Sequence, residues 1–448
     1  MIHQAVGPRG WPWIGSLPAF VRDPLRFWTR LANGYGGVAR YRIGAEQHFL
    51  ISDPQGIAHI FRHDTVRYYR GKYHDLLKPA FGEGLLTSND EPWRQQRRLI
   101  QPLLTKQRVS NWLDIVVSAT AATIEAWGDR RDEAPVDFFE GMARLVQEIN
   151  AKVLFGRALP YQAQPALLSS VSAINGSLLR QVKRAMIWDG MLNRLPLPDV
   201  RRFRAAANTL HRTVDRLTAE SRPQVDDDSL YGGLTRAANE TGSPPETFKI
   251  RDQLITLFLA GHETTAVALA WIFYFLTEHS PWSERLHGEI STVLGDRTPT
   301  LADLNRLVLT RQVIDESLRL RPPVYAIGRR ARVDDEVCGC RIPAESPVVV
   351  SPYVMHHHPA YWHEPERFEP ERFEPDRVAT RPAFCYFPFG GGPHVCVGQH
   401  LGMMELLAVV AMVVRDFRLT APPGRRVALQ PWITLRPKPD VRLFLARR

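Results

Sequence analysis

The sequence predicts a single large domain, mainly α with a small β portion, spanning residues 1–448. Three observations carry that prediction. Hydrophobic residues make up 44% of the chain and charged residues 23%, a globular balance that excludes a mainly disordered, collagen-like or coiled-coil protein. Apolar residues recur at helical spacing through most of 54–220 and 250–320. Alternation of apolar and polar residues, the mark of half-buried strands, is confined to short pieces.

Taken in order, residues 1–20 are punctuated by Pro and Gly and are expected to wander over the surface. Residues 36–52 alternate about a Gly turn and read as a β-hairpin. Helices follow to about 220, with breaks expected at Pro79, Pro102, Pro135 and Pro160. The polar, acidic stretch 221–246 reads as a surface connection plus a short helix. Residues 250–279 form the most helical piece, followed by helices at 281–294 and 301–320. Short strands are expected at 333–350, with turns at Gly339 and Pro343. A Pro-rich irregular stretch runs over 356–393, a helix over about 396–416, and strands close the chain.

The formal charge is +10, which would attract nucleic acid, anionic lipid or an acidic protein. No zinc-finger spacing or dense basic block supports nucleic acid, so an acidic protein partner is the better expectation. Four Cys exclude a disulfide framework and favour a reducing compartment. The N-terminus lacks the basic and apolar regions of a secretory signal. The apolar run Leu254–Leu276 is long enough to suggest a membrane span, but His262 and Glu263 sit near its middle. A carboxylate there costs about 2.5–3.5 kcal/mol on insertion scales. A buried core helix carrying a polar site is the better reading. No membrane anchor and a cytoplasmic location are therefore expected.

The strongest chemical signal is Phe389-Gly-Gly-Gly-Pro-His-Val-Cys396-Val-Gly398, opening onto a helix. Glycines let the backbone approach closely and take unusual φ. A Cys at a helix N-terminus is favoured as thiolate by the dipole and by nearby N–H groups. One thiolate cannot hold a structural zinc or a four-Cys cluster. Cys338 and Cys340 read as structural residues of a hairpin turn. A single thiolate does suit the axial position of a haem, and the haem-thiolate enzymes are the standing example of that ligation. The bland alternative, a buried Cys after a glycine turn, would win on the Cys alone. The spacing Phe389, Gly392, His394, Cys396, Gly398 matches F-x-x-G-x-[RH]-x-C-x-G, which chance produces in on the order of one in ten thousand chains of this length. On these residues the chain resembles the cytochromes P450, the haem-thiolate monooxygenases, in their soluble bacterial form.

Four further motifs stand in the family's order, so the resemblance covers nearly the whole chain. Ala260-Gly-His-Glu263-Thr264-Thr265 resembles its [AG]-G-x-[DE]-T-[TS] element, where a Gly and a hydroxyl open the helix ladder and an acid–alcohol pair delivers protons. The plain alternative is a helix flaw with Thr bonded to its own backbone. Glu316-Ser-Leu-Arg319 matches a buried pair that an Arg from a P-E-R-F stretch completes. Pro370–Phe373 is the expected stretch, although Pro365–Phe368 is a near copy. Trp93, Arg97, Arg329 and His394 fall where the family binds haem propionates. Phe389, Gly398 and Ala260 belong to its haem-contacting motifs. His356–His358 reads as an ordinary loop, and Met403 and Met404 as core. Glu345 and Ser346 fall where the family's turn usually carries Gly.

The resemblance implies a cytochrome P450 fold and haem b (iron protoporphyrin IX), with Cys396 as metal ligand and Glu263 and Thr264 as catalytic residues. It implies insertion of one oxygen atom from O2 into a C–H bond of a hydrophobic small molecule such as a terpenoid, fatty acid or polyketide, a secondary-metabolism role. Electrons would come from an acidic ferredoxin or flavodoxin with its reductase, docking at Arg94, Arg98, Lys106 and Arg108 by family analogy; a solvated-helix reading of those four competes. A peroxide-driven or oxygen-free haem-thiolate catalyst and a haem-binding sensor or carrier are the alternative functions.

Overall fold

The computed structural model describes residues 3–128, 134–160, 163–188, 193, 195–221, 227–240, 248–424 and 426–448. Its architecture is mainly helical with a small β portion, as the periodicity predicts. The hairpin stands at Val38–Ile43 and Glu46–Ile51, in register from Val38 opposite Ile51 to Ile43 opposite Glu46. It is one edge of a five-stranded sheet that continues through Pro347–Val350 and Ile327–Ala331 to Tyr68–Tyr69. The strand Ile327–Ala331 begins before the expected β region. It matters to the site, because it sets Arg329 opposite Val348.

The helix Ile250–Glu278 is continuous and runs through the core. Among the described residues it alone is long and apolar enough to cross a membrane, yet 78% of its most apolar window is buried by protein. It packs on Phe138–Phe155, with Gly261 against Asn150, where a Cβ would meet the amide at 3.2 Å. His262 Nε2 lies 3.0 Å from the Ala143 carbonyl oxygen. Burial pushes its pKa down to about 4, so the neutral ring donates that bond. The helices Val308–Leu320 and Gln399–Asp416 pack on the same core.

Behind the site, Glu316 and Arg319 are both fully buried. Arg319 donates to both Glu316 oxygens at 2.6 and 2.8 Å and to the carbonyls of His356, Pro365 and Arg367. A guanidinium has five N–H groups, and here each has an acceptor. Arg372 completes the pair at 3.5 Å from Glu316, which selects Pro370–Phe373 over its near copy.

Several local expectations need correction. Residues 1–20 are not all loop: His3–Gln4 pairs parallel with Cys340–Ile342, and Leu17–Arg22 is helical. The break expected at Pro79 falls just ahead of it, between Lys72–Asp75 and Lys78–Phe81, and Pro79 sits in the first turn of the second helix, where its missing N–H costs nothing. The helix expected over 301–320 is two, Leu301–Arg306 and Val308–Leu320. His356 and His357 are not an ordinary loop. Both are buried, and His356 Nε2 accepts from the Phe387 N–H at 3.0 Å, fixing the chain just ahead of the cysteine loop. Burial holds His356 down to about pKa 3, so that lone pair is available. Glu345 adopts φ 61°, the left-handed backbone that explains a Gly preference in that turn. Part of 221–246 lies outside the described residues; its short helix is Leu230–Glu240.

Candidate active site

The cysteine loop is closed by its own backbone. Cys396 N–H donates to the Phe389 carbonyl at 3.0 Å, and Val395 N–H to Gly392 at 3.1 Å. Gly392 has φ 64°, and a Cβ there would lie 2.2 Å from the Phe61 carbonyl oxygen, so only glycine lets the loop seat on the helix Pro54–Arg62. The helix begins at Gln399, three residues beyond Cys396 rather than at it. The sulfur nevertheless lies at that helix's N-terminal end, 4.0 Å from where a Cβ on the capping Gly398 would stand. Burial raises the thiol pKa; a hydrogen bond from the Gly398 N–H and the Arg97 charge oppose it. The expected thiolate preference is thus not built into the protein alone. Bonding to a metal deprotonates such a thiol outright. Although ringed by protein, Cys396 keeps accessible surface, which belongs to an interior cleft rather than the outer face.

Around this loop the structure gathers the predicted anion-binding residues. Arg97 donates to the Val395 carbonyl at 2.8 Å and to Gln101 at 2.9 Å. Trp93 lies against His394 with ring centroids 4.0 Å apart and planes tilted by 39°. Arg329 is held differently from expectation. Its guanidinium forms a bidentate pair with Asp64, whose carboxylate is fully buried, and His394 Nδ1 lies 2.8 Å from the same carboxylate. Arg329 holds the Asp64 carboxyl below the usual range, with His394 and hydrogen bonds assisting against desolvation. Burial takes His394 down to about pKa 4, so the ring is neutral, and its Nε2 is buried with no partner. Arg70 joins the cluster through electrostatic contact with Arg329, Asp64 and Arg97, and donates to the Leu85 and Ser88 carbonyls. Arg70, Arg97 and Arg329 thus stand around the single carboxylate of Asp64, with His394 neutral. Three guanidiniums against one carboxylate leave two positive charges.

On the long helix, Leu257, Ala260, Gly261 and Thr264 form an open stripe on an otherwise buried segment. Their spacing puts them on one face. The helix ladder is unbroken there, contrary to the expected opening, and Thr264 Oγ1 donates to the Ala260 carbonyl at 2.7 Å. Glu263 points elsewhere. It accepts from Thr434 Oγ1 at 3.0 Å and ion-pairs with Arg436 at 2.7 Å. Desolvation raises its pKa despite Arg436, Thr434 and Asn175. Arg436 lies over the rings of Phe139 and Trp432, on a hairpin tied to the long helix by Trp271 Nε1 donating to the Leu435 carbonyl. Next to Thr264, Thr265 bonds Glu405, a buried acid whose pKa is pushed up to about 8 by desolvation.

The chain's residues 6–443 match the family model described as cytochrome P450. The chain belongs to the cytochrome P450 family. It is 32% identical to cyclooctatin synthase of Streptomyces melanosporofaciens over 97% of this chain and 94% of that one. It is 32% identical to cyclooctat-9-en-7-ol 5-monooxygenase of the same organism, over 93% of this chain and 90% of that one. To pentalenene oxygenase of Streptomyces avermitilis it is 28% identical, over 94% and 92%. This P450 is accordingly an oxidoreductase of the monooxygenase type, and its cofactor is haem, iron protoporphyrin IX.

The residues present fit that cofactor. One sulfur opens onto the interior, and no cluster of three or more metal-binding side chains exists among the described residues to compete. The two excess positive charges match a dianionic porphyrin, and the orphaned His394 Nε2 is a polar atom in want of a partner. Trp93, Arg97, Arg329, His394, Phe389, Cys396 and Gly398 are brought together by the Phe61-anchored loop, the helix Asp90–Ile100 and the Asp64 pairs. Ala260 and Thr264 lie on the open helix stripe, while Glu263 faces the hairpin Ala428–Lys438. Sequence reasoning missed Asp64, Arg70, Arg436 and Glu405. Only Glu405 carries a signal, as the single acid in the apolar run Leu401–Val414.

Proposed function

We propose that this P450 hydroxylates a hydrophobic small molecule, with Cys396 as the thiolate that would hold the haem iron. The observation that carries the reading is the Cys396 sulfur, open to the interior and supported by the Gly398 N–H and the Arg97 charge. Trp93, Arg97, Arg329 and His394 would hold the propionates, Arg70 adding charge, with Phe389 and Gly398 shaping the loop and Ala260 keeping the helix close. Bound there, the haem would supply O2 activation and the transfer of one oxygen atom to a C–H bond.

The chain's own residues supply protons, enclosure and orientation. Glu263 takes up protons on the Arg436 and Thr434 side, where Arg436 is 12% exposed and so reaches toward water. The Thr264 hydroxyl spends its hydrogen on Ala260 and keeps its lone pairs to hold a water on the open stripe. Glu263 and Thr264 thus act as proton source and water holder.

Leu76, Leu77, Leu86, Leu257, Ile327 and Ile433 are half-buried apolar residues on the segments that would line the pocket. A cleft of about 340 Å³ lies beside Leu76, between Pro79, Phe203 and Ala185. Two relatives are named for a cyclic alkenol and an alkene, which favours the terpenoid class over fatty acids and polyketides. Electrons come from an acidic ferredoxin or flavodoxin with its reductase in the cytoplasm. Arg94, Arg98, Lys106 and Arg108 are all exposed on the helices next to the cysteine loop and suit such a partner.

The test is the reduced, carbon monoxide-treated protein. A thiolate-type red-shifted band is expected, lost on Cys396→Ser. A band that survives this substitution would place the ligand elsewhere. Substrate-dependent oxygen consumption with ferredoxin and reductase, exceeding turnover with hydrogen peroxide alone, supports the monooxygenase cycle over the peroxide-driven one.

A further inference from the structure

The basic charge is not spread evenly. Residues 1–45 contain Arg9, Arg22, Arg26, Arg30, Arg40 and Arg42 against one acid, Asp23, and so carry five of the chain's ten net positive charges. None of these residues belongs to the active site.

The same segment displays the largest exposed aromatics of the described surface. Trp13 is 88% exposed and Trp11 67%, and Ile14 and Val21 of the same segment are about two-fifths exposed. Such side chains on a loose loop would mean little. This turn is built. Trp11 and Gly15 exchange two backbone hydrogen bonds at 2.8 and 2.9 Å. Ser16 N–H donates to the Arg42 carbonyl at 2.6 Å. The Arg42 guanidinium donates to the carbonyls of Trp11, Trp13 and Gly44 at 2.8–3.0 Å. Trp13 itself sits at φ 61°, a left-handed backbone that a bulky residue adopts only when its surroundings impose it. The fold therefore spends backbone strain to hold two indoles in water.

Indole rings are amphipathic and settle at the headgroup level of a bilayer, and arginines beside them are drawn to an anionic leaflet. We propose that the Trp11–Gly15 turn, with Arg22 and Arg26 of the following helices, docks this protein peripherally on an anionic lipid surface. No span is involved; the indoles insert at the interface while the buried helix Ile250–Glu278 stays in the core. Trp and Arg also anchor protein interfaces, so an acidic protein seated on this turn is the rival outcome of the test. An apolar substrate dissolved in the bilayer would then be met at its source.

The test uses the haem-loaded full chain with vesicles of phosphatidylglycerol and phosphatidylcholine, and with phosphatidylcholine alone. The wild type is expected to co-sediment with the anionic vesicles and not with the neutral ones. Trp11→Ala combined with Trp13→Asn, Asn being tolerant of the left-handed backbone, should lower partitioning by about tenfold or more. Arg22→Gln with Arg26→Gln should lower it by about thirtyfold, and high salt should do likewise. Both variants should keep the carbon monoxide band, which shows that the fold is intact. Brominated anionic lipid should quench wild-type tryptophan fluorescence more than that of the Trp variant. Three results would overturn the proposal: wild type left in solution with anionic vesicles, partitioning of the Trp variant within about twofold of wild type, or occupation of the turn by an acidic redox protein in cross-linking.

Discussion

Glu405 gives the sharpest quantitative test of the core around the active site. Its carboxyl is buried in the helix that follows the cysteine loop, bonds Thr265, and leaves Oε1 without a partner. Its pKa of about 8 lies well above the ordinary 4.5. A raised acid binds its proton more tightly in the folded state than in the unfolded one. Its contribution to stability is therefore fully present below about pH 4.5 and is lost as pH rises toward 8. At about 1.36 kcal/mol per pH unit, the loss reaches about 3 kcal/mol at pH 7 and about 5 kcal/mol above pH 8. Glu405→Gln keeps the shape and an acceptor oxygen for the Thr265 hydroxyl but does not titrate. The variant should match wild type at pH 4.5, exceed it by about 3 kcal/mol at pH 7, and diverge further to pH 8. Urea unfolding followed by tryptophan fluorescence at several pH values reads the difference directly, since every other titrating group is common to both proteins. Parallel curves, within about 1 kcal/mol from pH 5 to 8, would refute the reasoning and mean that Glu405 is hydrated or paired in solution.

Arg319→Lys offers three donors to five acceptors, so at least two buried groups lose their bonds and unfolding stability should fall by about 2–6 kcal/mol. A loss under about 0.5 kcal/mol would mean that the pair is not buried in solution. Asp64→Asn strips the counter-charge from buried Arg329 and should cost about 3–5 kcal/mol in urea unfolding; a cost below about 1 kcal/mol would show another group neutralising it. Arg436→Met leaves the Glu263 carboxylate without its ion pair, so the Glu263 pKa should rise further and the alkaline side of the pH–turnover profile should shift. An unmoved profile would take Glu263 out of proton delivery. Thr264→Ala removes the hydroxyl on the open stripe and should let reductant consumption outrun product formation; tight coupling in that variant would remove Thr264 from the relay.

The cysteine loop was legible because its constraints are local. Gly392 must be glycine because its φ is positive and its neighbour is the backbone of Phe61. Glu316 and Arg319 sit three apart on one helix, so their pairing follows from helix geometry. The long helix was legible from its length and apolarity, and protein buries 78% of its most apolar window. The strand carrying Arg329 was not found at its true start, because five residues with two arginines show no alternation clear enough to announce it.

What the chain by itself determined is therefore the set of groups that short-range geometry binds together: the sulfur and its glycine loop, the Glu–Arg pair, the helix with its acid and alcohol. Only the tertiary structure decided how charge is arranged among them. Asp64 meets Arg329 from 265 positions away and His394 from 330, and Arg436 reaches Glu263 across 173. Charges act through space over several ångströms and with a strength set by burial, and neither the separation nor the burial of two groups is written in their spacing along the chain.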